Sequence, residues 1–291
     1  MSRDLSHPPP LPALFVSHGS PMLALEPGAT GAFFARLGPA IDAAFGRPRA
    51  IVVVSPHTAA AQPVVFDSAH HHAVHDFGGF PAALYRLRYE PPGAPALADR
   101  VLGQLASAGF DPTRSAEAGL DHGIWAVLRF AWPDAAVPVV PLALSPQQPP
   151  AAQWALGAAL APLLDEGVLV LGSGSLTHDL HRLFAVRPMP ASDAPEAADT
   201  AAFRAWVAER SAARDRDALL DYRRQAPHGA TMHPTDEHWL PFYIAAGAGG
   251  FAAAPVRLHE GVTYGSLAMD AYAFGPGASA LAQRLARPLS A

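Results

Sequence analysis

Fourteen histidines and no cysteine or lysine leave this chain imidazoles, carboxylates, hydroxyls and guanidinium groups with which to do polar chemistry. Three of the histidines stand where an apolar run stops. LPALFVSH ends at His18, AIVVVSPH at His57 and GVLVLGSGSLTH at His178. A fourth, His238, lies in the acidic stretch TDEH, which opens an apolar helical pattern. In an open α/β sheet, ligands gather beyond the carboxyl ends of the strands. Imidazoles delivered there by separate segments can build a metal site without thiolates. A single such histidine is usually a surface or satisfied core residue. Three strand-terminal copies in one chain point to a shared site.

The neighbouring residues sharpen this reading. In His18-Gly19-Ser20-Pro21, Gly19 permits a tight turn close to a ligand. Ser55-Pro56-His57 repeats the arrangement after the next predicted strand. Asp121-His122-Gly123 sits at a predicted helix start, where His122 can donate to a bound oxygen. Glu237 and His238, read as helical, point about 100° apart, so one of them faces a given metal. Gly172-Ser173-Gly174 lacks the third glycine of a dinucleotide fingerprint and is expected to turn the chain toward His178. The segment from His75 to Pro81, HDFGGFP, has glycines and aromatics able to wall an aromatic pocket. The run His70-His71-His72 reads as a solvated loop, and His181, His228, His233 and His259 are expected to have no role in the site.

Several chemistries are excluded. Without cysteine there are no disulfides, thiolate zinc sites, iron–sulfur clusters or cysteine nucleophiles. Without lysine there is no Schiff base and no P-loop. HExxH and GxSxG are both absent. A net charge of -5 with no basic patch argues against nucleic acid. No apolar run reaches the roughly 18 residues of a membrane span, and the first residues lack a signal-peptide apolar core, so a cytoplasmic location is expected.

These side chains need a sheet to position them. Residues 11–17, 50–55, 63–67, 137–144, 167–171, 255–258 and 266–273 read as strands. Residues 28–45, 94–108, 121–132, 151–164, 194–221 and 237–246 read as helices, with Asp121 as an N-cap. Residues 70–92 form a long ordered loop. The alternation predicts a single-domain α/β sandwich. Its central, mostly parallel or mixed sheet is flanked by helices and carries a metal site at the strand C-terminal ends. The catalytic domain is expected over residues 11–274, with a loose segment at 1–10 and a loosely held tail at 275–291.

Seven blocks occur in order: LFVSHGSP, AIVVVSPH, HDFGGFPAALY, LDHGIWAVL, LVLGSGSLTHDL, TDEHWLPF and EGVTYGSLAMDAY. Together they resemble the DODA-type class III extradiol ring-cleavage dioxygenases, relatives of DOPA 4,5-dioxygenase and of the catalytic subunit of protocatechuate 4,5-dioxygenase. The likeness runs from Leu11 to Tyr272. It implies a metal held by His18, His57 and one residue of the Glu237–His238 pair, with His238 favoured; class III relatives more often use a carboxylate there. It implies His178 as the catalytic base, able to act as a fourth ligand to zinc, and His122 as the second catalytic histidine. The implied cofactor is Fe(II), with Zn(II) as an alternative occupant. The implied substrates are a catechol and O2, both oxygen atoms entering the product. Thr58, Leu120 and Ser175 depart from the family pattern, which bears on the ring substituents accepted. The same residues would also suit a zinc hydrolase or a non-catalytic Memo-like binding protein. A binding module, however, needs no base beside a metal.

Overall fold

The chain's most apolar segments form the centre of a six-stranded mixed sheet. In the computed structural model, which describes residues 10–287, the strands are β1 (Ala13–Ser17), β2 (Ala50–Val54), β3 (Val139–Pro141), β4 (Val168–Gly174), β5 (Val256–His259) and β6 (Ala271–Phe274). Their order is β3-β2-β4-β1-β6-β5. The pairs β3–β2, β2–β4 and β4–β1 are parallel, while β1–β6 and β6–β5 are antiparallel. Every residue of β1, β2 and β4 is buried. A strand covered on both faces has no solvent side, which is why these segments read as continuous apolar runs.

The main helices are α1 (Gly28–Phe45), α2 (Pro95–Ser107), α3 (His122–Ala131), α4 (Pro150–Leu160), α5 (Ala198–Ala212), α6 (Leu240–Gly249) and α7 (Ala278–Ala286). Successive residues of β4 show how two of them are layered. Ser173 turns its hydroxyl to the Gly123 carbonyl in α3. Its neighbours Gly172 and Gly174 turn the other way, where added Cβ atoms would stand 2.2 Å from the Pro241 oxygen and 2.3 Å from the His238 oxygen. Alternate residues of a strand face opposite sides, so α3 and α6 cover opposite faces of the sheet. The domain is a single α/β sandwich, as expected.

Several details differ from expectation, among them the helix expected over 194–221, which is broken into Ala198–Ala212, Arg216–Leu220 and Tyr222–Gln225. The Gly172–Gly174 pattern does not turn the chain: β4 runs through it, because the missing side chains admit the backbone that leads into α6. Glu237 and His238 are not helical. They occupy a turn, and α6 starts at Leu240 with Pro241 in its first turn. Prolines shorten the strand expected over 137–144 to three residues, since Pro138 and Pro141 remove ladder donors. Finally, the segment expected as a loose tail carries α7, whose buried Ala278 and Leu281 pack toward α1. Its apolar positions are too few to outweigh the flanking Gly and Pro in a local reading. The N-terminal expectation falls on residues that lie outside the described ones up to residue 9. Among the described residues no helix is long and apolar enough to cross a membrane.

Candidate functional site

Because β1, β2 and β4 are parallel, their carboxyl ends share one edge of the sheet. His18 follows β1 directly, and its N–H donates to the Gly174 carbonyl at the end of β4 (2.9 Å). His57 follows β2 by three residues. His238 reaches the same edge from the turn before α6, held by the Ser175 N–H donating to its carbonyl (2.8 Å). Ring centroids stand 5.3 Å apart for His18–His57, 5.6 Å for His18–His238 and 5.0 Å for His57–His238. One ring nitrogen of each lies within 4.8 Å of the other two.

The outward hydrogen bonds of these rings determine which nitrogens are bare. The Ser173 hydroxyl gives its one proton to the Gly123 carbonyl. It must therefore accept from His18 Nδ1 (3.0 Å), which leaves His18 Nε2 with a lone pair. His57 Nδ1 faces the Asp76 carboxylate (3.5 Å), and His238 Nδ1 donates to Glu237 Oε1 (3.1 Å). His18 and His238 thus spend their Nδ1–H outward and His57 turns its Nδ1 toward a carboxylate, the arrangement that orients metal-binding imidazoles. The His18 and His57 Nε2 atoms then face each other at 3.3 Å. Two lone pairs at that distance repel. Two nitrogens about 2.0–2.1 Å from one divalent ion stand roughly 3.0–3.4 Å apart. Burial, followed by the neighbouring imidazoles, holds His18 and His238 well below the usual histidine range, so both stay neutral as ligands must. The donor set fits a divalent metal that accepts imidazole.

His178 is arranged differently. Its ring stacks on His238 with centroids 3.3 Å apart and planes 12° from parallel. An imidazole lone pair lies in the ring plane, so two parallel rings cannot both aim at one ion. His178 falls in a group with Glu237 and His238, apart from His18 and His57. Burial lowers it to about 4. His122 opens α3 and closes the opposite side, 4.1 Å from the His57 ring and 5.4 Å from the His18 ring.

Sequence reasoning missed the groups that hold this arrangement. Asp76 accepts both the His122 backbone N–H and the His122 Nδ1–H, each at 2.9 Å. It therefore satisfies an orphan donor at the start of α3, a position where negative charge is favoured. Burial opposes its charge, but the His122 hydrogen bonds keep the carboxyl below its usual range. Asp121 occupies the predicted N-cap position without capping. Its carboxylate instead accepts from the Ser55 hydroxyl (2.7 Å) and the Thr58 hydroxyl (2.6 Å), tying down the loop that carries His57. The one local signal for Asp76 was its place in HDFGGFP. Nothing local pairs it with a helix 46 residues away.

The cluster opens into a cavity of about 670 Å³ lined by His57, His122, His178 and His238. Phe77 forms part of its wall, edge-on to His122 with centroids 5.7 Å apart, in keeping with the aromatic wall expected of HDFGGFP. Other histidines serve the fold. His71, expected in a solvated loop, is buried with Nε2 donating to the Val139 carbonyl (3.0 Å), His233 donates to the Leu176 carbonyl (2.8 Å), and His259 stacks on Phe33.

Comparison with known proteins matches residues 12–275 to the family model described as the catalytic LigB subunit of aromatic ring-opening dioxygenase. A 4,5-DOPA dioxygenase extradiol of Beta vulgaris is 34% identical over 267 residues, 89% of this chain and 95% of the relative. One of Escherichia coli K12 is 36% identical over 264 residues, covering 89% and 93%. A crystal structure of an uncharacterized Escherichia coli K12 protein is similar with a TM-score of 0.75 at 32% identity, covering 91% of this chain and 100% of that one.

Proposed function

As the chain belongs to the family of the catalytic LigB subunit of aromatic ring-opening dioxygenases, we propose that it cleaves a catechol with O2 in the extradiol manner at Fe(II) held by His18, His57 and His238. The observation that carries this reading is the convergence of bare imidazole nitrogens, with the His18 and His57 Nε2 atoms 3.3 Å apart. Three neutral ligands leave a divalent ion its full charge. When bound, ferrous iron would supply open positions for a catecholate and dioxygen, together with the redox chemistry that links them.

The chain's own residues supply orientation and proton movement. His178 is neutral, lines the cavity and is a general base for a catechol hydroxyl. Glu237 accepts from His238 Nδ1 and so supports that ligand from behind. His122 keeps its Nδ1 proton on Asp76, which leaves Nε2 to accept a proton and then return it to a departing oxygen. Phe77 walls the ring site beside His122. Phe77, Phe80, Leu180 and Leu267 give the cavity apolar walls beside the histidines.

The test is oxygen uptake by protein reconstituted anaerobically with Fe(II) and supplied with a catechol panel. Stoichiometric O2 consumption and a yellow ring-opened product support the reading. A metal-loaded protein that consumes no oxygen with any catechol, and hydrolyses an ester instead, would establish the zinc hydrolase in its place.

A further inference from the structure

One buried histidine outside the metal cluster answers to the segment that carries His178. β4 ends at Gly174, and residues 175–178 leave the sheet. Leu176 and Thr177 are fully buried there, so their backbone groups need partners inside the protein. The Leu176 N–H donates to the Ser17 hydroxyl (3.0 Å), and the Thr177 carbonyl accepts from the Ser175 hydroxyl (2.8 Å). The His178 N–H donates to the Met232 carbonyl (2.8 Å). The Leu176 carbonyl is left to a side chain, His233, whose Nε2 donates to it at 2.8 Å.

The His233 ring is placed for that one bond. It is fully buried and caged by Phe203, Tyr222 and Trp239, with ring centroids 5.6, 5.9 and 5.7 Å away. A carbonyl only accepts, so the ring's proton sits on Nε2 and Nδ1 carries the lone pair. Nδ1 is buried and has no hydrogen-bond partner among the described residues. An idle buried polar atom is unfavourable, and an apolar side chain would fill the same cage without one. What the imidazole adds over such a side chain is the Nε2–H. The carbonyl it holds lies two residues before His178, whose ring stacks on His238 at 3.3 Å. With that carbonyl freed, the Leu176–Thr177 peptide can rotate, and the His178 ring swings with it. Trp239, the cage wall nearest to parallel with His233 (27°), directly follows His238. His233 therefore sits between the segment of the proposed base and that of the proposed ligand.

We propose that His233 is a positioning residue for His178: its Nε2–H fixes the Leu176 carbonyl, and through it the direction from which the base enters the cavity. This rests on the catechol dioxygenase reading and adds to it the residue that aims the base.

The test compares three variants. His233→Gln has an amide nitrogen that reaches where Nε2 stands, His233→Asn is one methylene too short, and His233→Leu has no donor. Denaturant midpoints check folding, and plasma mass spectrometry checks metal content. Two catechols differ in their need of a base. 4-Methylcatechol arrives neutral, whereas its nitro group makes 4-nitrocatechol acidic enough to arrive as an anion. In the Fe(II) protein, His233→Asn and His233→Leu should lower kcat/KM for 4-methylcatechol by up to about 100-fold, as a misplacement of about 1 Å does. The loss for 4-nitrocatechol should be much smaller, and His233→Gln should restore both. On protein loaded with redox-inert Zn(II), calorimetry should show the ratio of 4-nitrocatechol to 4-methylcatechol affinity rise about fivefold in His233→Asn, the worth of one hydrogen bond. If His233→Leu does not fold, the Gln and Asn variants carry the comparison. An equal loss for the two catechols, a His233→Gln protein as slow as His233→Asn, or a folded His233→Asn protein with wild-type kcat/KM overturns the proposal. If neither catechol consumes oxygen, the dioxygenase reading fails, while the affinity ratio on the zinc protein still decides the role of His233.

Discussion

Asp76 is bonded twice to His122, once through the backbone N–H and once through Nδ1, both at 2.9 Å. The same carboxylate lies 3.5 Å from His57 Nδ1. One side chain from the glycine-rich loop therefore sets the orientation of a proposed proton donor and of a proposed metal ligand.

Asp76→Asn removes the charge and keeps the shape. We expect kcat to fall about 10–100-fold, the usual cost of losing an orienting partner. Metal content by plasma mass spectrometry should change less than turnover. Unaltered turnover would remove Asp76 from the mechanism.

His18→Ala, His57→Ala and His238→Ala should each lose metal, since a missing ligand weakens the site directly. Glu237→Gln should keep it, because Glu237 acts through His238 Nδ1. Loss of metal from Glu237→Gln with retention by His238→Ala would make the carboxylate the third ligand.

The parallel stacking of His178 on His238 separates base from ligand. His178→Ala should retain iron and bind catechol while turnover drops about 10²–10⁴-fold. A variant without metal would show His178 to be an obligatory ligand.

Gly174→Ala tests how the fold positions the site. An added Cβ would stand 2.3 Å from the His238 carbonyl, so the turn carrying His238 must move. The expected destabilisation is about 1–3 kcal/mol, read from denaturant midpoints, with reduced metal content. Wild-type values for both would mean that this approach is not tight.

His233 gives a pH dependence of stability. It is fully buried, and burial lowers it to about 4, whereas an unfolded histidine titrates near 6.5. Between these values the unfolded chain binds the extra proton, so stability rises with pH across that window. The contribution is complete above pH 6.5 and is lost as the pH falls toward 4, on the order of 3 kcal/mol in all. His233→Gln should reduce the slope of unfolding free energy against pH by nearly one proton. An unchanged slope would show that the folded protein accommodates the charge.

The sequence by itself determined the sheet's central strands, the histidines at their ends and the family. Residues such as 51–54 are uniformly apolar and β-branched because both of their faces are covered, and that signal is local. His18 and His57 are legible for the same reason, since the end of an apolar run marks the edge where a site forms. Only the tertiary structure decided what surrounds them. The bond between Asp76 and His122, the Ser173 hydroxyl behind His18 and the Asp121 clamp on the His57 loop join segments 46 to 155 residues apart. Gly172 and Gly174 looked like a turn because glycine usually permits one, whereas here their missing side chains make room for the approach to α6. His238 looked helical because an apolar helical pattern follows it, yet it lies in the preceding turn against Gly174. Short-range pattern reports the environment of one segment. Which nitrogen is bare, and which carboxylate it answers to, depends on the meeting of several segments, and packing decides that.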